Sequence, residues 1–160
     1  MKRQSHMASA DPFVRPLAEL TDDAFLQLDA DTPYGEALER LRAAHAGSVI
    51  VTRSGKVAGV FTERDVLNKA LLERTPAATP LSKLMTPDPA VLSLKATVRE
   101  AVALMDARRI RNVPLVDEGG KPLALLTVGH VIRFLADAFP AEVVNLPPRP
   151  GQVTEEVEGA

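Results

Sequence analysis

The sequence repeats one order of elements, and its second half follows its first at an offset of about 65 residues. The matching segments are 14–20 with 81–86, 25–28 with 91–94, 34–41 with 98–105, 48–52 with 112–116, and 60–67 with 125–132. Apolar spacing and turn residues predict a short apolar segment and then strand, helix, strand, strand and helix in each copy. A unit of this size is too small to be stable alone, so we expect the two copies to bury their sheets against each other.

Cap and turn residues set the bounds of the predicted elements in the first copy. Thr32 is expected to cap a helix that has Pro33 at its first position, and Gly47 is expected to end that helix. A linker at 75–80, rich in Thr and Pro, precedes the second copy. The expected elements are a strand at 25–28, a helix at 34–44, strands at 49–51 and 57–61 around a turn at 53–56, and a helix from 62 to about 73.

A polar strand-to-helix corner at 59–65 carries the groups in this chain that best suit a ligand. The first N–H groups of a helix lack intrahelical partners and carry partial positive charge, which suits phosphate. Thr62 can cap the helix or bind a ligand oxygen, and Arg64 offers a planar fork of donors to phosphate. Asp65 can accept two hydrogen bonds from a vicinal diol such as a ribose. The alternative is that Thr62 and Asp65 only cap the helix.

Composition restricts the core and the classes of partner. Aromatic residues make up 4% of the 160 residues, so the core must be aliphatic, and stacking platforms for single-stranded nucleic acid are not expected. A net charge of −2 and a pI near 5.9 give no overall attraction to nucleic acid or to an anionic membrane. The absence of Cys removes disulfides and thiolate metal sites. Because there is no apolar run of membrane-spanning length and no signal-peptide core, we expect a cytoplasmic protein.

Three motifs in the repeat resemble those of a known family. They are Gly-x-x-Thr-x-x-Asp at 59–65, Lys-Leu-Met-Thr-Pro at 83–87 and Asn-Val-Pro at 112–114. In this order, and within a duplicated unit, they are similar to a pair of cystathionine-β-synthase-type (CBS) domains, over about residues 12–139. The resemblance implies an α/β fold of two repeats, at 12–76 and 77–139, each a small, mostly antiparallel sheet with flanking helices. It also implies that the repeats pack with pseudo-twofold symmetry.

The same resemblance implies a cleft between the repeats that binds an adenosine-containing ligand such as AMP, ADP, ATP, NAD or S-adenosylmethionine. Asp65 resembles the acid that binds the ribose, Thr62 the hydroxyl beside it, and Arg64 a variable position that can reach phosphate. The residues expected near the base, on the opposite repeat, are Thr97, Asn112, Val113 and Pro114.

The second copy departs from this pattern at its own corner. His130 stands where the acid is expected, and Ala124 replaces the glycine. Imidazole cannot accept from both ribose hydroxyls as a carboxylate can, so one site is expected rather than two. The sequence leaves open whether His130 binds a ligand of its own.

The family resemblance implies a module that regulates a partner or an attached domain. Because the two repeats use almost the whole length expected to be ordered, we expect a stand-alone module that passes its signal to a separate, unidentified protein. The chain has no Ser-His-Asp set, nucleophile elbow, P-loop or metal signature, so we expect no enzyme activity, no metal site and no required cofactor. Two alternatives stay open. One is an interaction or dimerisation module with a vestigial ligand site, and the other is a hydrolase that acts on the nucleotide.

A homodimer is expected, since the helices at 34–44 and 98–108 would each present a second apolar strip to another copy. Small residues there allow close approach of helices; they are Ala43, Ala44, Ala103 and Ala107. The alternative is that these alanines are simply good helix formers. Outside the repeats, we interpret 1–11 as a leader that contains a cloning remnant around Ser5-His6-Met7. We expect 140–160 to be an extended or disordered acidic tail.

Overall fold

The computed structural model describes residues 11–22 and 24–139, which include both copies of the repeat. The predicted tail at 140–160, and all but the last residue of the predicted leader at 1–11, lie outside the described residues. The first copy contains β1 (Gln27–Asp29), α1 (Tyr34–Ala44), β2 (Ser48–Arg53), β3 (Lys56–Thr62) and α2 (Glu63–Asp65), which continues as a π-helix (Val66–Leu71). The second contains β4 (Thr86–Pro87), α3 (Val98–Arg108), β5 (Asn112–Val116), β6 (Pro122–Thr127) and α4 (Val128–Ala138). Short 3₁₀ helices at Pro12–Val14, Leu17–Glu19 and Leu81–Lys83 lead into the copies.

Two small sheets and their flanking helices make up the fold. In the first sheet, β1 pairs parallel with β2, β2 pairs antiparallel with β3, and β3 pairs antiparallel with β4. In the second sheet, β5 and β6 form an antiparallel hairpin, and an isolated parallel bridge joins Leu92 to Leu115. The predicted α/β class, with two mostly antiparallel sheets, is therefore confirmed.

The two hairpins share local irregularities as well as their order of elements. The strand register shifts just after Val51 in the first hairpin and just after Leu115, at the matching position, in the second. The helix that follows each hairpin begins with the same type of main-chain hydrogen bond. These bonds join Glu63 N to Gly47 O, over 3.0 Å, and Val128 N to Arg111 O, over 2.9 Å. The internal repeat is thus a repeat of backbone geometry.

The short segment that leads into each copy packs on the core of the other copy. Leu17 is wholly buried in the core of the second repeat, and its N–H donates to Ala96 O over 2.8 Å. Leu81 is wholly buried in the core of the first repeat, and the next N–H, that of Ser82, donates to Ala30 O over 2.8 Å. Burying one such leucine stabilises the fold by about 1.5–3 kcal/mol. The exchange of leading segments therefore joins the two repeats into one packed unit.

The start of α1 differs from the prediction. Pro33 is the N-cap rather than the first helical residue, and no side-chain hydrogen bond caps the helix, so the assignment of Thr32 as the cap is wrong. Carbonyl groups of the linker satisfy the first N–H groups instead. These bonds join Tyr34 N to Thr79 O, over 2.9 Å, and Gly35 N to Ala77 O, over 3.0 Å. Because the linker supplies these acceptors, the helix does not need a side-chain cap.

The helix after Thr62 is not the regular α-helix predicted to about residue 73. After Glu63–Asp65 it widens into the π-helix Val66–Leu71. The wider turn is seen in the Leu72 N–H, which donates to Leu67 O, five residues back, over 3.3 Å. Beyond the helix, the N–H and the hydroxyl of Thr75 donate to the carbonyls of Ala70 and Lys69, each over 2.9 Å. Single π turns within helices are frequent at functional sites.

The first strand of each copy is also placed differently from the prediction. β1 spans Gln27–Asp29 instead of 25–28. The strand expected at 91–94 is reduced to the bridge at Leu92, because a turn closed by Ala96 N donating to Ser93 O over 3.1 Å follows directly.

Candidate functional site

At the corner between β3 and α2, Thr62 and Asp65 are joined by reciprocal hydrogen bonds. The Thr62 hydroxyl oxygen accepts the Asp65 N–H over 3.3 Å, and the Thr62 N–H donates back to Asp65 Oδ2 over 3.0 Å. The Thr62 hydroxyl also donates to Oδ2 over 3.1 Å. These two residues therefore do cap the helix, and the cap adds a negative charge where the helix dipole favours one.

The other oxygen of the Asp65 carboxylate has two further partners. Only 6% of Asp65 is exposed, so its charge needs compensation within the protein. The Lys69 ammonium lies 2.8 Å from Oδ1, and the Thr86 hydroxyl donates to the same oxygen over 3.3 Å. Thr86 belongs to β4, so the carboxylate ties the corner of the first repeat to the strand that leads into the second. Sequence reasoning missed both partners, although Lys69 stands four residues after Asp65, a spacing that predicts an ion pair on a helix.

Arg64 lies within the same helical turn as Asp65 and is exposed. In the described part of the chain its guanidinium forms no hydrogen bond or ion pair with another side chain. A planar fork of donors beside a helix start suits a phosphate group. The binding of phosphate by Arg64 stays a prediction.

Asn112 is brought to the first corner through a residue that the sequence analysis did not select. The Ser48 hydroxyl donates to Asn112 Oδ1 over 3.0 Å. Ser48 lies opposite Thr62 in the β2–β3 pairing, and Asn112 lies opposite Thr127 in the β5–β6 pairing. The two matching positions of the repeat thus meet between the two corners. The alignment of Ser48 with Asn112 in the internal repeat is the signal that would have indicated Ser48.

Val113 and Pro114 lie in β5 with their side chains wholly buried in the second repeat. The Pro114 carbonyl accepts the Leu92 N–H over 3.2 Å. Neither side chain is exposed as an open apolar slot in this structure. Among the hydrogen bonds and ion pairs of the described residues, none joins Val113 or Pro114 directly to the Thr62–Asp65 pair.

Thr97 caps α3 and does not contact the first corner through a hydrogen bond within the described residues. Its hydroxyl oxygen accepts the Glu100 N–H over 3.3 Å, and its N–H donates to Glu100 Oε2 over 2.6 Å. The hydrogen bond from the Thr97 backbone, and then the one from its hydroxyl, lower the pKa of Glu100 from its ordinary value. The N–H and the hydroxyl of Thr97 are therefore already used in capping α3.

The second corner repeats the cap with an imidazole in place of the carboxylate. The Thr127 N–H donates to His130 Nδ1 over 3.1 Å, and the His130 N–H donates to the Thr127 hydroxyl oxygen over 3.3 Å. Burial lowers the pKa of His130, the charge of Arg133 lowers it further, and Asp22 acts in the opposite direction. Phe134 stands at the position that matches Lys69. This corner therefore lacks both the carboxylate and the ammonium of the first.

An open groove of about 660 Å³ lies on the first repeat, between the end of α1 and the start of the helix after Thr62. Asp65 does not line the groove, so the groove and the corner are separate features. The lining residues are Leu38, Leu41, Arg42, His45, Ala46, Gly47, Glu63, Val66 and Leu67.

Residues 11–22 and 24–139 contain no group of three or more His, Cys, Asp or Glu side chains that could hold a metal ion. Over the same ranges, no helix has both the length and the apolar character needed to cross a bilayer.

Comparison with known sequences identifies relatives of both repeats. The family model described as "CBS domain" matches residues 17–71 and 81–137. The chain is 30% identical over 111 residues to the CBS domain-containing protein CBSCBSPB3 of Arabidopsis thaliana, covering 68% of this chain and 20% of that protein. It is 26% identical over 125 residues to an uncharacterized 17.7 kDa protein of Acidianus ambivalens, covering 78% of this chain and 71% of that protein. The chain spans about a fifth of the length of the first curated relatives it matches.

Solved structures of CBS domains share the fold. The CBS domain structure NE2398 is 26% identical with a TM-score of 0.68, and the match covers 74% of this chain and 95% of that one. CBSX2 in complex with AMP is 24% identical with a TM-score of 0.67, covering 76% and 96%. The CBS domain pair of MJ0100, in complex with 5′-methylthioadenosine and S-adenosyl-L-methionine, is 18% identical with a TM-score of 0.71, covering 78% and 98%. Since the family model matches each repeat separately and more than half of the chain in total, the chain belongs to the CBS domain family, of which it carries two copies.

Proposed function

We propose that this chain is a regulatory module that binds an adenosine-containing ligand between its two CBS repeats and passes the resulting change to a partner protein. The observation that carries the proposal is the buried Asp65 carboxylate at a helix start, paired with Thr62. Ser48 and Asn112 link this corner to the opposite repeat. A carboxylate is the side chain best able to accept from the two hydroxyls of a ribose.

In the proposed complex, each part of the ligand has its own group of residues. Asp65 accepts from the ribose hydroxyls with Thr62 beside it, and Arg64 reaches the phosphate. Because His130 replaces the acid at the second corner, we propose one site. The residues proposed for the base side, on the second repeat, are Thr97, Asn112, Val113 and Pro114.

Ligands of similar proteins support this ligand class. CBSX2 was solved with AMP, and the MJ0100 pair with 5′-methylthioadenosine and S-adenosyl-L-methionine. All three ligands contain adenine and a ribose with a free vicinal diol, and the diol is the group that Asp65 would bind. We extend the proposal to ADP, ATP and NAD, and a preference for the phosphorylated ligands would make this module a sensor of energy state. The absence of Cys suits a reducing compartment, so we propose that the module acts in the cytoplasm.

The proposed role is regulatory and contains no catalytic step, and it requires no cofactor or metal. The family matched by both repeats is described as a CBS domain, which supports this assignment. We expect ATP and AMP to be recovered unchanged after long incubation with the protein. Hydrolysis at a rate above that of a buffer blank would favour the hydrolase alternative instead.

A second candidate is an interaction or dimerisation module whose ligand site is vestigial. One observation favours it specifically, namely that Thr62, Lys69 and Thr86 already occupy the Asp65 carboxylate. Under this alternative, Asp65 would only hold the corner and β4 together.

We also propose that two copies of the chain associate through helices, namely the expected strips on α1 and α3, where Ala43, Ala44, Ala103 and Ala107 are exposed, and the helices that follow the two corners. The matching residues Leu67 and Ile132 each follow their corner threonine by five positions, and they are 58% and 61% exposed. Leu67 also lines the apolar groove of the first repeat. Matching apolar residues on the two repeats suit a twofold contact in which the same surface is used by both partners.

A thermal-shift panel tests the ligand proposal. AMP, ADP, ATP, NAD and S-adenosylmethionine would each be added to the full chain, with GMP as a control that matches AMP in charge and ribose. A ligand at 100 times its Kd stabilises the folded state by about 2.7 kcal/mol, which is easily measured as a shift in Tm. A shift with an adenosine ligand that disappears in Asp65→Asn supports the proposed site. No shift with any of the ligands at millimolar concentration would favour the interaction module.

A further inference from the structure

We propose that in the ligand-free protein Lys69 and Thr86 occupy Oδ1 of the ribose-binding Asp65 carboxylate, an arrangement that we call the closure. The ligand must displace these two side chains, which releases β4. This inference rests on the proposed function, because it concerns the regulation of the same site. It begins from the fact that the two Oδ1 partners come from different parts of the fold. Lys69 lies in the π-helix of the first repeat, and Thr86 lies in β4.

The acceptor capacity of Asp65 is already filled. An ionised carboxylate offers about four lone-pair positions. Oδ2 accepts from the Thr62 N–H over 3.0 Å and from its hydroxyl over 3.1 Å. Oδ1 accepts from the Lys69 ammonium over 2.8 Å and from the Thr86 hydroxyl over 3.3 Å. A vicinal diol donates two hydrogen bonds of its own, so it can bind only where existing donors leave.

The donors on Oδ1 are the ones that can leave. One donor on Oδ2 is the backbone N–H of Thr62, which the β3–α2 corner fixes in place. Both donors on Oδ1 are side chains. The Lys69 side chain is 39% exposed, so its ammonium can turn to water or to a ligand phosphate, and the Thr86 contact is the longest of the four.

Displacement of these two side chains acts on β4. This strand consists of Thr86–Pro87 and pairs with β3 at Val60 and Gly59. The Lys69 ammonium also lies 3.5 Å from the Met85 carbonyl oxygen, just before β4. Without Lys69 and Thr86 on Asp65, β4 loses its side-chain tie to the corner, which is the release that we propose, while its pairing with β3 remains. Ligand binding would thus loosen the segment that connects the two repeats.

The second corner has no such closure within the described residues. Phe134 matches Lys69, and it carries no donor. Thr21 matches Thr86, but its hydroxyl donates to Leu17 O over 3.2 Å. The closure is therefore particular to the corner that carries the acid, and it does not follow from the repeat itself.

The test is a titration of three variants with adenosine, which has no phosphate for Lys69 to contact. Lys69→Met and Thr86→Val each remove one donor from Oδ1. Lys83→Met is the control, because Lys83 is exposed and forms no ion pair among the described residues. If the closure must open before binding, each of the first two variants should bind adenosine about three- to tenfold more tightly than the unmutated chain, and the control should bind equally.

The outcomes separate this inference from the proposed function. If the unmutated chain binds adenosine but neither Lys69→Met nor Thr86→Val binds it more tightly, the closure is refuted and the proposed function stands. If only the variants bind, the closure is supported. If no variant binds adenosine or AMP at millimolar concentration, both proposals fail. As a second measurement, amide hydrogen exchange of segment 85–88 should become faster when AMP is bound, and unchanged exchange would contradict the release of β4.

Discussion

The Ser48 hydroxyl donates a 3.0 Å hydrogen bond to the Asn112 side-chain oxygen, and these two residues hold the same position in the two copies of the repeat. Each lies opposite the threonine that caps its own corner, Thr62 in the first copy and Thr127 in the second. The contact therefore lies between the two corners and relates them. It also shows that the copies match in position but differ in chemistry, since one supplies a donor and the other an acceptor.

Ser48→Ala should weaken the junction between the repeats. Ser48 is buried, and its loss removes the donor to the Asn112 side-chain oxygen, so we expect a cost of about 1–2 kcal/mol in the free energy of unfolding. A double-mutant cycle with Asn112→Ala, measured by urea unfolding, should give a coupling of about 0.5–1.5 kcal/mol. Ser82→Ala is the matched control, because Ser82 is half-buried and its hydroxyl forms no hydrogen bond in the described part of the chain. Additive effects of Ser48 and Asn112 would contradict the coupling.

Much of the fold follows from local signals. The sequence predicted α1 almost as the structure has it, because a proline stands before it and a glycine after it, although Pro33 is its N-cap and not its first helical residue. The cap formed by Thr62 and Asp65 is a short-range property of their spacing. Internal similarity of the two halves predicted a packed pair of repeats.

Other features depend on contacts between distant segments, and local patterns do not contain them. The apolar character of Leu17 and Leu81 predicts burial but does not indicate that each is buried in the core of the other repeat. The cap at Thr32 failed for the same reason, since the linker reaches α1 only in the folded chain. At the candidate site, the Thr62–Asp65 spacing indicated the cap that the structure shows, and the role of Asp65 in ligand binding stays a prediction. It did not predict Thr86, which approaches Asp65 from 21 residues away.

Asp65→Asn should reduce both stability and ligand affinity. The amide keeps the shape of the side chain but loses the charge that Lys69 compensates. We therefore expect the free energy of unfolding to fall by about 1–3 kcal/mol. Loss of charge-assisted bonds to the ribose should weaken AMP binding by at least about tenfold. Titration calorimetry at a temperature where the variant is folded would measure the AMP affinity, and Asp65→Ala should give at least the same loss.

His130→Ala is the comparison at the second corner, and it should leave AMP affinity nearly unchanged. Equal losses at Asp65 and His130 would mean that the site is assigned to the wrong repeat or that both corners are occupied.

Arg64→Ala should distinguish AMP from adenosine. If Arg64 binds the phosphate, its removal should weaken AMP binding about tenfold and leave adenosine binding nearly unchanged. Arg64 is exposed and forms no ion pair among the described residues, so the variant should unfold like the unmutated protein. Calorimetric titration with both ligands measures the difference. Equal loss for the two ligands would show that Arg64 does not contact the phosphate.

Gly59→Ala should detach β4 from the first sheet. An added Cβ would lie 2.8 Å from the Thr86 carbonyl oxygen and would overlap the Met85 side chain. The backbone of β4 must shift to make room, at a cost of about 1–3 kcal/mol. Gly119→Ala is the control, because its nearest neighbour would be an Asp117 carboxylate oxygen at 3.4 Å, and we expect it to stay within about 0.5 kcal/mol of the unmutated protein. Equal melting temperatures for the two variants would show that β4 does not constrain this position.

Leu67→Glu and Ile132→Glu should dissociate the proposed dimer. Each places a charge on an apolar helical surface, and loss of about 2–3 kcal/mol of contact energy would raise the dimer Kd by more than about tenfold. Light scattering at micromolar concentration, with and without AMP, measures the mass. The control is Val14→Glu, because Val14 is 57% exposed, against 58% for Leu67, and lies in the leading 3₁₀ helix. This variant should leave the mass unchanged. A monomer mass for the unmutated chain would refute the proposed association.

The stability of the second repeat should fall as pH decreases below about 6.5, the ordinary pKa of histidine. His130 caps α4 by accepting the Thr127 N–H at Nδ1, so the cap requires the neutral imidazole. Burial and then the charge of Arg133 lower the pKa of His130 in the folded protein, while Asp22 opposes this. Below the unfolded pKa the unfolded chain therefore binds more protons than the folded one. The contribution is complete above about pH 6.5 and is lost as pH falls through the folded pKa.

The size of this effect is limited by the exposure of the site. One cap hydrogen bond contributes about 0.5–1.5 kcal/mol, and solvent around the half-buried imidazole reduces the electrostatic part. Urea unfolding at pH 7.5 and pH 5.5 should show a larger loss for the unmutated chain than for His130→Asn, whose amide oxygen can accept the same N–H without titrating. Asp22→Asn should increase the loss, because Asp22 favours the protonated imidazole. If His130→Asn loses as much stability as the unmutated chain over this range, the imidazole cap is not the group that titrates.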